Sequence, residues 1–127
     1  MTPRPLEILL VDDLYADHFA RKFSVALGDK IHCTPVDSGK KALEAVKEKC
    51  YDLIILDYQM PEKDGAETAK AIRREFPEAR IVGFSYDWPP EEVKLAGLEY
   101  CTAWDKLIIE YLSRLVEASE NCSGEFF

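Results

Sequence analysis

The stretch that most constrains the fold of this chain is an apolar run that ends on a single acid. Residues Leu53–Leu56 are all aliphatic, and Asp57 follows them directly. An apolar run without alternating polar residues predicts a strand covered on both faces, as in a parallel sheet between two layers of helices. Pro61 prevents a regular continuation of that strand. Asp57 is therefore expected at the carboxyl end of a buried strand, where open α/β sheets bind their ligands.

Apolar stretches of strand length recur along the chain and alternate with amphipathic helical patterns. The predicted strands are residues 6–11, 30–36, 53–56, 80–84 and 98–102. The predicted helices lie between Asp13 and Gly28, after Ser38, over residues 64–76, in a short stretch between Pro90 and Gly97, and over residues 103–118. Five strands alternating with five helices predict an α/β protein with a flavodoxin-like, doubly wound, five-stranded parallel sheet. Right-handed crossovers favour the strand order 2-1-3-4-5, with the fourth helix shortened.

The length and the charge of the chain limit the classes of function. The 127 residues favour a single domain over residues 1–127, with a core at about 6–118 and a flexible tail at 119–127. Lys and Arg number 16 against 24 Asp and Glu, and a net charge of −8 argues against nucleic acid and anionic membranes as partners. No apolar run approaches the roughly 18 residues of a spanning helix, and the N-terminus lacks a signal-peptide pattern. We therefore predict a cytoplasmic protein.

The cysteines carry no pattern of metal binding or redox chemistry. Cys33, Cys50, Cys101 and Cys122 are widely spaced, without a CxxC pair. The first three lie in or beside predicted core segments, and we expect them to be buried and reduced.

Acids follow two strands that are neighbours in the predicted sheet. Asp12 and Asp13 end the first strand, and Asp57 ends the third. Three carboxylates at one sheet edge repel one another, so either a pKa rises or a cation binds. Mg²⁺ prefers such oxygen ligands, and a carboxylate can also attack phosphorus as a nucleophile. For any one of these acids alone, a helix cap or a solvated loop residue is the ordinary alternative.

The chain resembles the receiver domains of two-component response regulators from Leu6 to about Val116. The features that carry the resemblance are the acidic pair after the first strand, the segment LIILDYQMPEKDG at residues 53–65, and a small hydroxyl residue after the fourth strand. The resemblance implies phosphorelay signal transduction, in which a histidine kinase or phosphotransfer protein donates a phosphoryl group to the domain. It also implies a downstream protein target, and slow self-dephosphorylation at most in place of an enzymatic activity.

The resemblance assigns roles to individual residues. Asp57 is the implied phosphoacceptor, and the implied Mg²⁺ ligands are Asp12, Asp13, Asp57 and the backbone carbonyl of Gln59. Ser85 matches the switch hydroxyl, and its alternative is a turn serine at the end of a strand. Tyr100 matches the switch aromatic, and its alternative is a half-buried core tyrosine.

The chain departs from the family pattern after the fifth strand. Receivers usually carry a Lys-Pro pair there, and alignment from Tyr100 places Ala103 and Trp104 at those positions. Lys106 lies three residues further on, about 4.5 Å along a helix, and is a candidate substitute or an ordinary solvated lysine. The alternative function is therefore a pseudo-receiver binding module that acts independently of phosphorylation.

A third interpretation is an enzyme that uses Asp57 as a nucleophile on phosphate esters. An enzyme of the haloacid-dehalogenase kind would need a second Asp two residues after Asp57, and Gln59 stands there, so this interpretation is the least favoured. Trp88, Trp104 and the Phe126–Phe127 pair are candidate partner contacts, with packing or disorder as the alternative.

Overall fold

The structure is a computed structural model that describes residues 4–125, with side chains described through residue 121. A parallel sheet of five strands in the order β2-β1-β3-β4-β5 forms its centre. The strands are β1 Leu6–Val11, β2 Ile31–Val36, β3 Leu53–Leu56, β4 Ile81–Phe84 and β5 Tyr100–Thr102. The predicted flavodoxin-like arrangement is confirmed.

Five α-helices connect and follow the strands. They are α1 Ala16–Leu27, α2 Gly39–Glu48, α3 Gly65–Glu75, α4 Pro90–Leu95 and α5 Asp105–Glu125, with a 3₁₀ turn at Gly28–Lys30. The side chains of Ser38 and Asp64 accept hydrogen bonds from backbone N–H groups in the first turns of α2 and α3, which fixes where these helices begin. Helix α4 has only six residues, as the paired prolines predicted.

The core consists of two apolar layers, one on each face of the sheet. Alternate residues of the central strands point to opposite faces, so each strand contributes to both layers. One layer contains Leu9, Val11, Ile54 and Leu56 with α2 and α3, and the other contains Ile8, Leu10, Leu53 and Ile55 with α1 and α5. The strands are apolar without alternation because helices cover both of their faces.

Helix α5 is longer than the sequence predicted. Its predicted end near residue 118 is wrong, because residues 119–125, which were expected in a flexible tail, continue the helix. The residues on either side of the predicted end include the helix formers Glu117, Ala118 and Glu120. An ion pair of 3.1 Å between Lys30 Nζ and Glu120 Oε2 also holds this part of α5 against the 3₁₀ turn. The Phe126–Phe127 pair lies outside the described residues.

Two side-chain predictions were incomplete. Cys33 and Cys101 are half-buried and free, but Cys50 is exposed, because it follows the end of α2 instead of lying in β3. Of the two tryptophans, Trp88 is buried and Trp104 is 59% exposed. Within residues 4–125, no helix combines the length and the apolar character that a membrane crossing requires.

Candidate functional site

Three carboxylates meet at the carboxyl edge of the sheet. One oxygen atom from each of Asp12, Asp13 and Asp57 lies within 4.8 Å of the others. The sheet itself causes this proximity, because β1 and β3 are paired in parallel and the Asp57 N–H donates to the Val11 carbonyl at 2.9 Å. The sequence predicted these three acids as one cluster, and the structure brings them together.

Asp12 serves the local fold and the site at once. It is 7% exposed, and its Oδ1 accepts hydrogen bonds of 2.9 Å from the N–H groups of both Leu14 and Tyr15. These bonds hold the turn that leads into α1. A carboxylate has two oxygen atoms, so holding the turn and binding a cation are compatible in the same residue.

Asp57 is electrostatically distinct from an ordinary surface acid. Burial, followed by the charge of Asp12, raises the pKa of its carboxyl from an ordinary 3.8 to about 7. The hydrogen bond of 2.8 Å from the Tyr58 N–H to Oδ1 lowers this pKa, and so does the nearby Ser85 side chain. A cation bound among the three acids would favour the ionised form of Asp57, which is the form that can act as a nucleophile.

Ser85 lies beside Asp57, at the start of the loop between β4 and α4. Its N–H donates to the Thr102 carbonyl at 3.1 Å, which connects the loop to β5. Its Oγ accepts a hydrogen bond of 3.1 Å from the Asp87 N–H. Its side chain is near enough to Asp57 to lower the pKa of that carboxyl, and its role as the switch hydroxyl stays a prediction.

The loop between β3 and α3 carries Gln59 and closes tightly on Gly65. The side chain of Gln59 is exposed, and the ligand role of its backbone carbonyl stays a prediction. The Gly65 N–H donates to the Tyr58 carbonyl at 2.6 Å. A Cβ atom at Gly65 would overlap the Asp57 carbonyl oxygen, so the start of α3 can approach the site only with glycine there.

The contacts of Tyr100 and the exposure of Lys106 do not connect either residue to Asp57. Tyr100 is half-buried on β5 and its ring stacks against Tyr111 of α5. Lys106 is exposed in the first turn of α5, and its side chain forms no ion pair with the side chains of residues 4–121. Their predicted roles beside the phosphoryl group therefore stay predictions.

Sequence reasoning gave no structural role at the site to Trp88. Its Nε1–H donates a hydrogen bond of 3.0 Å to the carbonyl of Leu56, the residue directly before Asp57. A signal was available: the largest side chain of the loop segment SYDWPP stands three positions after Ser85.

The family model of the response regulator receiver domain matches residues 8–101. The chain belongs to this family. As a receiver domain it is a component of two-component signal transduction, a system in which such domains interact with histidine kinases.

Curated relatives include longer proteins of the same signalling systems. This receiver domain is 31% identical over 125 residues to the two-component response regulator ORR1 of Oryza sativa subsp. japonica, covering 91% of this chain and 54% of the rice protein. It is 44% identical over 68 residues to the hybrid signal transduction histidine kinase B of Dictyostelium discoideum, covering 53% of this chain and 3% of the kinase. The chain thus spans about half of one relative and a small part of the other.

Solved receiver domains have the same fold. The receiver domain of a Francisella response regulator superposes with a TM-score of 0.75 at 25% identity, over 93% of this chain and 99% of that one. A Vibrio cholerae chemotaxis protein superposes with a TM-score of 0.73 at 24% identity, over 87% of this chain and 98% of that one. The receiver domain of a Pseudomonas aeruginosa sensor histidine kinase superposes with a TM-score of 0.74 at 23% identity, over 89% of this chain and 98% of that one. That structure has a magnesium ion coordinated in its active site cleft.

Proposed function

We propose that this receiver domain accepts a phosphoryl group on Asp57 from a histidine kinase or phosphotransfer protein and signals to a downstream protein. The observation that carries the proposal is the meeting of Asp12, Asp13 and Asp57 with the Ser85 hydroxyl at one sheet edge. A cytoplasmic location, the absence of nucleic-acid and membrane partners, and slow self-dephosphorylation at most stay predictions from the sequence.

The donor set fits Mg²⁺. Carboxylate oxygens are the ligands that a hard divalent cation takes, and one oxygen from each of the three acids lies within 4.8 Å of the others. Asp12, Asp13, Asp57 and the carbonyl of Gln59 would hold the ion. When bound, Mg²⁺ supplies positive charge that offsets both the acids and the phosphoryl oxygens.

The residues of the chain have separate tasks in the transfer. An oxygen of the ionised Asp57 carboxylate forms the new bond to phosphorus, while the bond from phosphorus to the donor's imidazole nitrogen breaks and the imidazole keeps the electron pair. Ser85 would donate its hydroxyl hydrogen to a phosphoryl oxygen. The added charge of about −1.5 to −2 would then reorder the neighbouring loops.

One observation favours the second candidate, a module that acts independently of phosphorylation. Ala103 occupies the place of the usual lysine, and the nearest candidate substitute, Lys106, is exposed. The family's cationic contact to the phosphoryl group is therefore lacking at its usual position. The two candidates differ in whether Asp57 is modified at all.

The test is phosphorylation followed by intact mass. Wild type, Asp57→Asn and Asp37→Asn are titrated with Mg²⁺ by calorimetry and then incubated with a small phosphodonor. Asp37 is the matched control, because it is an exposed acid that follows β2 at the same sheet edge and pairs with Lys41 at 2.9 Å. We expect one phosphoryl increment in wild type and Asp37→Asn, and none in Asp57→Asn.

Each contrary result has a definite meaning. Wild type that binds Mg²⁺ but gains no mass would support the phosphorylation-independent module. An increment that persists in Asp57→Asn would show that the acceptor is another residue.

A further inference from the structure

The buried indole of Trp88 connects two loops of the site. Trp88 is 7% exposed, although it belongs to the loop at residues 85–89 between β4 and α4. Its Nε1–H donates to the Leu56 carbonyl at 3.0 Å. Since Asp57 follows Leu56, the indole ties the β4–α4 loop to the backbone from which Asp57 projects.

The indole lies in a slot between two glycines. A Cβ atom at Gly65 would lie 2.7 Å from Cζ2 of Trp88, and one at Gly83 would lie 2.9 Å from its Nε1. The Tyr58 ring packs against the indole at 5.0 Å between ring centroids. Interiors pack closely enough that a methyl group at either glycine would force the indole to move. The position of Trp88 is therefore fixed by shape as well as by its hydrogen bond.

The same loop orients the hydroxyl of Ser85. Asp87 N–H donates to Ser85 Oγ at 3.1 Å, and the Ser85 side chain lies near enough to Asp57 to lower the pKa of that carboxyl. A hydroxyl has one hydrogen to donate, so acceptance from Asp87 leaves that hydrogen for the Asp57 carboxylate. Ser85 is held at one end of the loop by the Thr102 carbonyl, and Trp88 anchors the other end.

We propose that Trp88 is a positioning residue, which holds the Ser85 hydroxyl toward Asp57 before a phosphoryl group arrives. Ala103 stands where the family carries a lysine that contacts the phosphoryl group. Without that lysine, the Ser85 hydroxyl provides a larger share of the side-chain contacts to a phosphoryl group than it would in a receiver that has the lysine. This inference rests on the proposed function, since Ser85 can serve a phosphoryl group only if Asp57 accepts one.

The test compares the binding of Mg²⁺ with the binding of beryllofluoride, a phosphoryl analogue, by calorimetry. Trp88→Phe removes the N–H donor and keeps an aromatic ring in the slot. We expect its Mg²⁺ affinity to equal that of wild type and its beryllofluoride affinity to fall about threefold to tenfold, the effect of one buried hydrogen bond. Trp104→Phe is the matched control, because it makes the same chemical change at a site that is 59% exposed, and it should bind both as wild type does.

A double-mutant cycle separates positioning from general destabilisation. If Trp88 acts through Ser85, then Ser85→Ala weakens beryllofluoride binding less in the Trp88→Phe background than in wild type. The proposal would be overturned if the two substitutions weaken beryllofluoride binding additively. It would also be overturned if Trp88→Phe loses as much Mg²⁺ affinity as beryllofluoride affinity, or if its beryllofluoride affinity is unchanged. Failure of wild type itself to bind beryllofluoride would overturn the proposed function, a result that the variants do not affect.

A measurement on an intact slot covers the case in which Trp88→Phe does not fold. In the Trp104→Phe protein labelled with ¹⁵N-tryptophan, the single indole N–H signal belongs to Trp88. We expect slow exchange of this proton with solvent both before and after beryllofluoride is added. Fast exchange in the free protein would show that the indole does not hold the loop in advance, and would overturn the proposal.

Discussion

The rings of Tyr100 and Tyr111 form an offset stack, with ring centroids 5.1 Å apart and ring planes 2° from parallel. The Tyr111 hydroxyl donates to Glu99, and Glu99 forms an ion pair of 2.7 Å with Arg80. Helix α5 is thus joined to β5 by the ring contact with Tyr100, and to the residue before β5 by the polar contact with Glu99. For Tyr100 to act as the predicted switch aromatic, it would have to leave this stack or carry Tyr111 with it.

The stack and the polar contact can be separated by two substitutions at Tyr111. We expect Tyr111→Phe to lower the free energy of unfolding by about 0.5–1.5 kcal/mol, because the hydrogen bond to Glu99 is lost. Tyr111→Leu should cost about 0.5–1.5 kcal/mol more, because the ring contact is lost as well. Urea denaturation measures both, with Tyr86→Phe, at a 75% exposed site, as the control. Equal stability of the Phe and Leu variants would show that the stack contributes nothing.

The raised pKa of Asp57 predicts that the site destabilises the fold above neutral pH. The folded protein holds the Asp57 proton up to about pH 7, whereas the unfolded chain releases it near 3.8. This contribution to stability is complete below the unfolded pKa and is lost as the pH rises through the folded one. Without divalent cations, we therefore expect Asp57→Asn to be about 1–2 kcal/mol more stable than wild type at pH 8, a figure reduced for solvent screening.

The same comparison at lower pH and with Mg²⁺ checks the cause. The advantage of Asp57→Asn should shrink toward zero between pH 7 and pH 4 in chemical denaturation. Saturating Mg²⁺ should stabilise wild type more than the variant, because binding to the folded state adds to its stability. An advantage that is independent of pH would indicate a packing effect of the amide in place of an electrostatic one.

Gly65 is expected to be intolerant of any side chain. Its Cβ would overlap the Asp57 carbonyl and lie 2.7 Å from Trp88, so we expect Gly65→Ala to cost about 1–3 kcal/mol. Gly28→Ala is the control for backbone conformation, because Gly28 has a φ of 62° but a Cβ there would have no atom within 4 Å. We expect this variant to lose about 1 kcal/mol of unfolding free energy. In a Trp104→Phe background, only Gly65→Ala should also shift the Trp88 fluorescence. Unchanged fluorescence would mean that the slot is looser than described.

Lys106 is expected to have little part in phosphoryl transfer. Its side chain is exposed, and its backbone N–H donates to Asp105 Oδ1 at 2.9 Å, which keeps it in the first turn of α5. We expect Lys106→Ala to gain a phosphoryl group from a small phosphodonor at a rate within about twofold of wild type, since surface charges have small effects. Ser85→Ala should be clearly slower in the same time course by mass. A tenfold loss in Lys106→Ala would restore the lysine as the substitute for the family's usual residue.

The sheet and the acid cluster were predictable because they depend on local pattern and on a topological rule. The unbroken apolar runs of β1 and β3 identify buried parallel strands, and the strand order then brings Asp12 and Asp57 together. The end of α5 and the exposure of Cys50 were not predictable in this way. They depend on the ion pair between Lys30 and Glu120 and on where α2 stops, and neither leaves a periodic signal.

The place of Trp88 was beyond pattern reasoning for a different reason. Its environment is assembled from Gly65, Gly83 and the Leu56 carbonyl, which belong to three separate segments. Hydrophobic periodicity reports on the residues of one element at a time. A loop residue that packs on several elements therefore gives no such signal.

The two-glycine slot also limits how this domain can be re-engineered. A β4–α4 loop transplanted from another receiver that lacks a tryptophan at position 88 would leave the space between Gly65 and Gly83 empty. Cavities of that kind destabilise proteins, so such chimaeras need a bulky residue restored at position 88, because a side chain at position 65 would overlap the Asp57 carbonyl. Conversely, another receiver domain into which this loop is transplanted must first have glycine at the positions that correspond to Gly65 and Gly83. Positions 65, 83 and 88 are one module for protein design, although the last lies 23 positions after the first in the sequence.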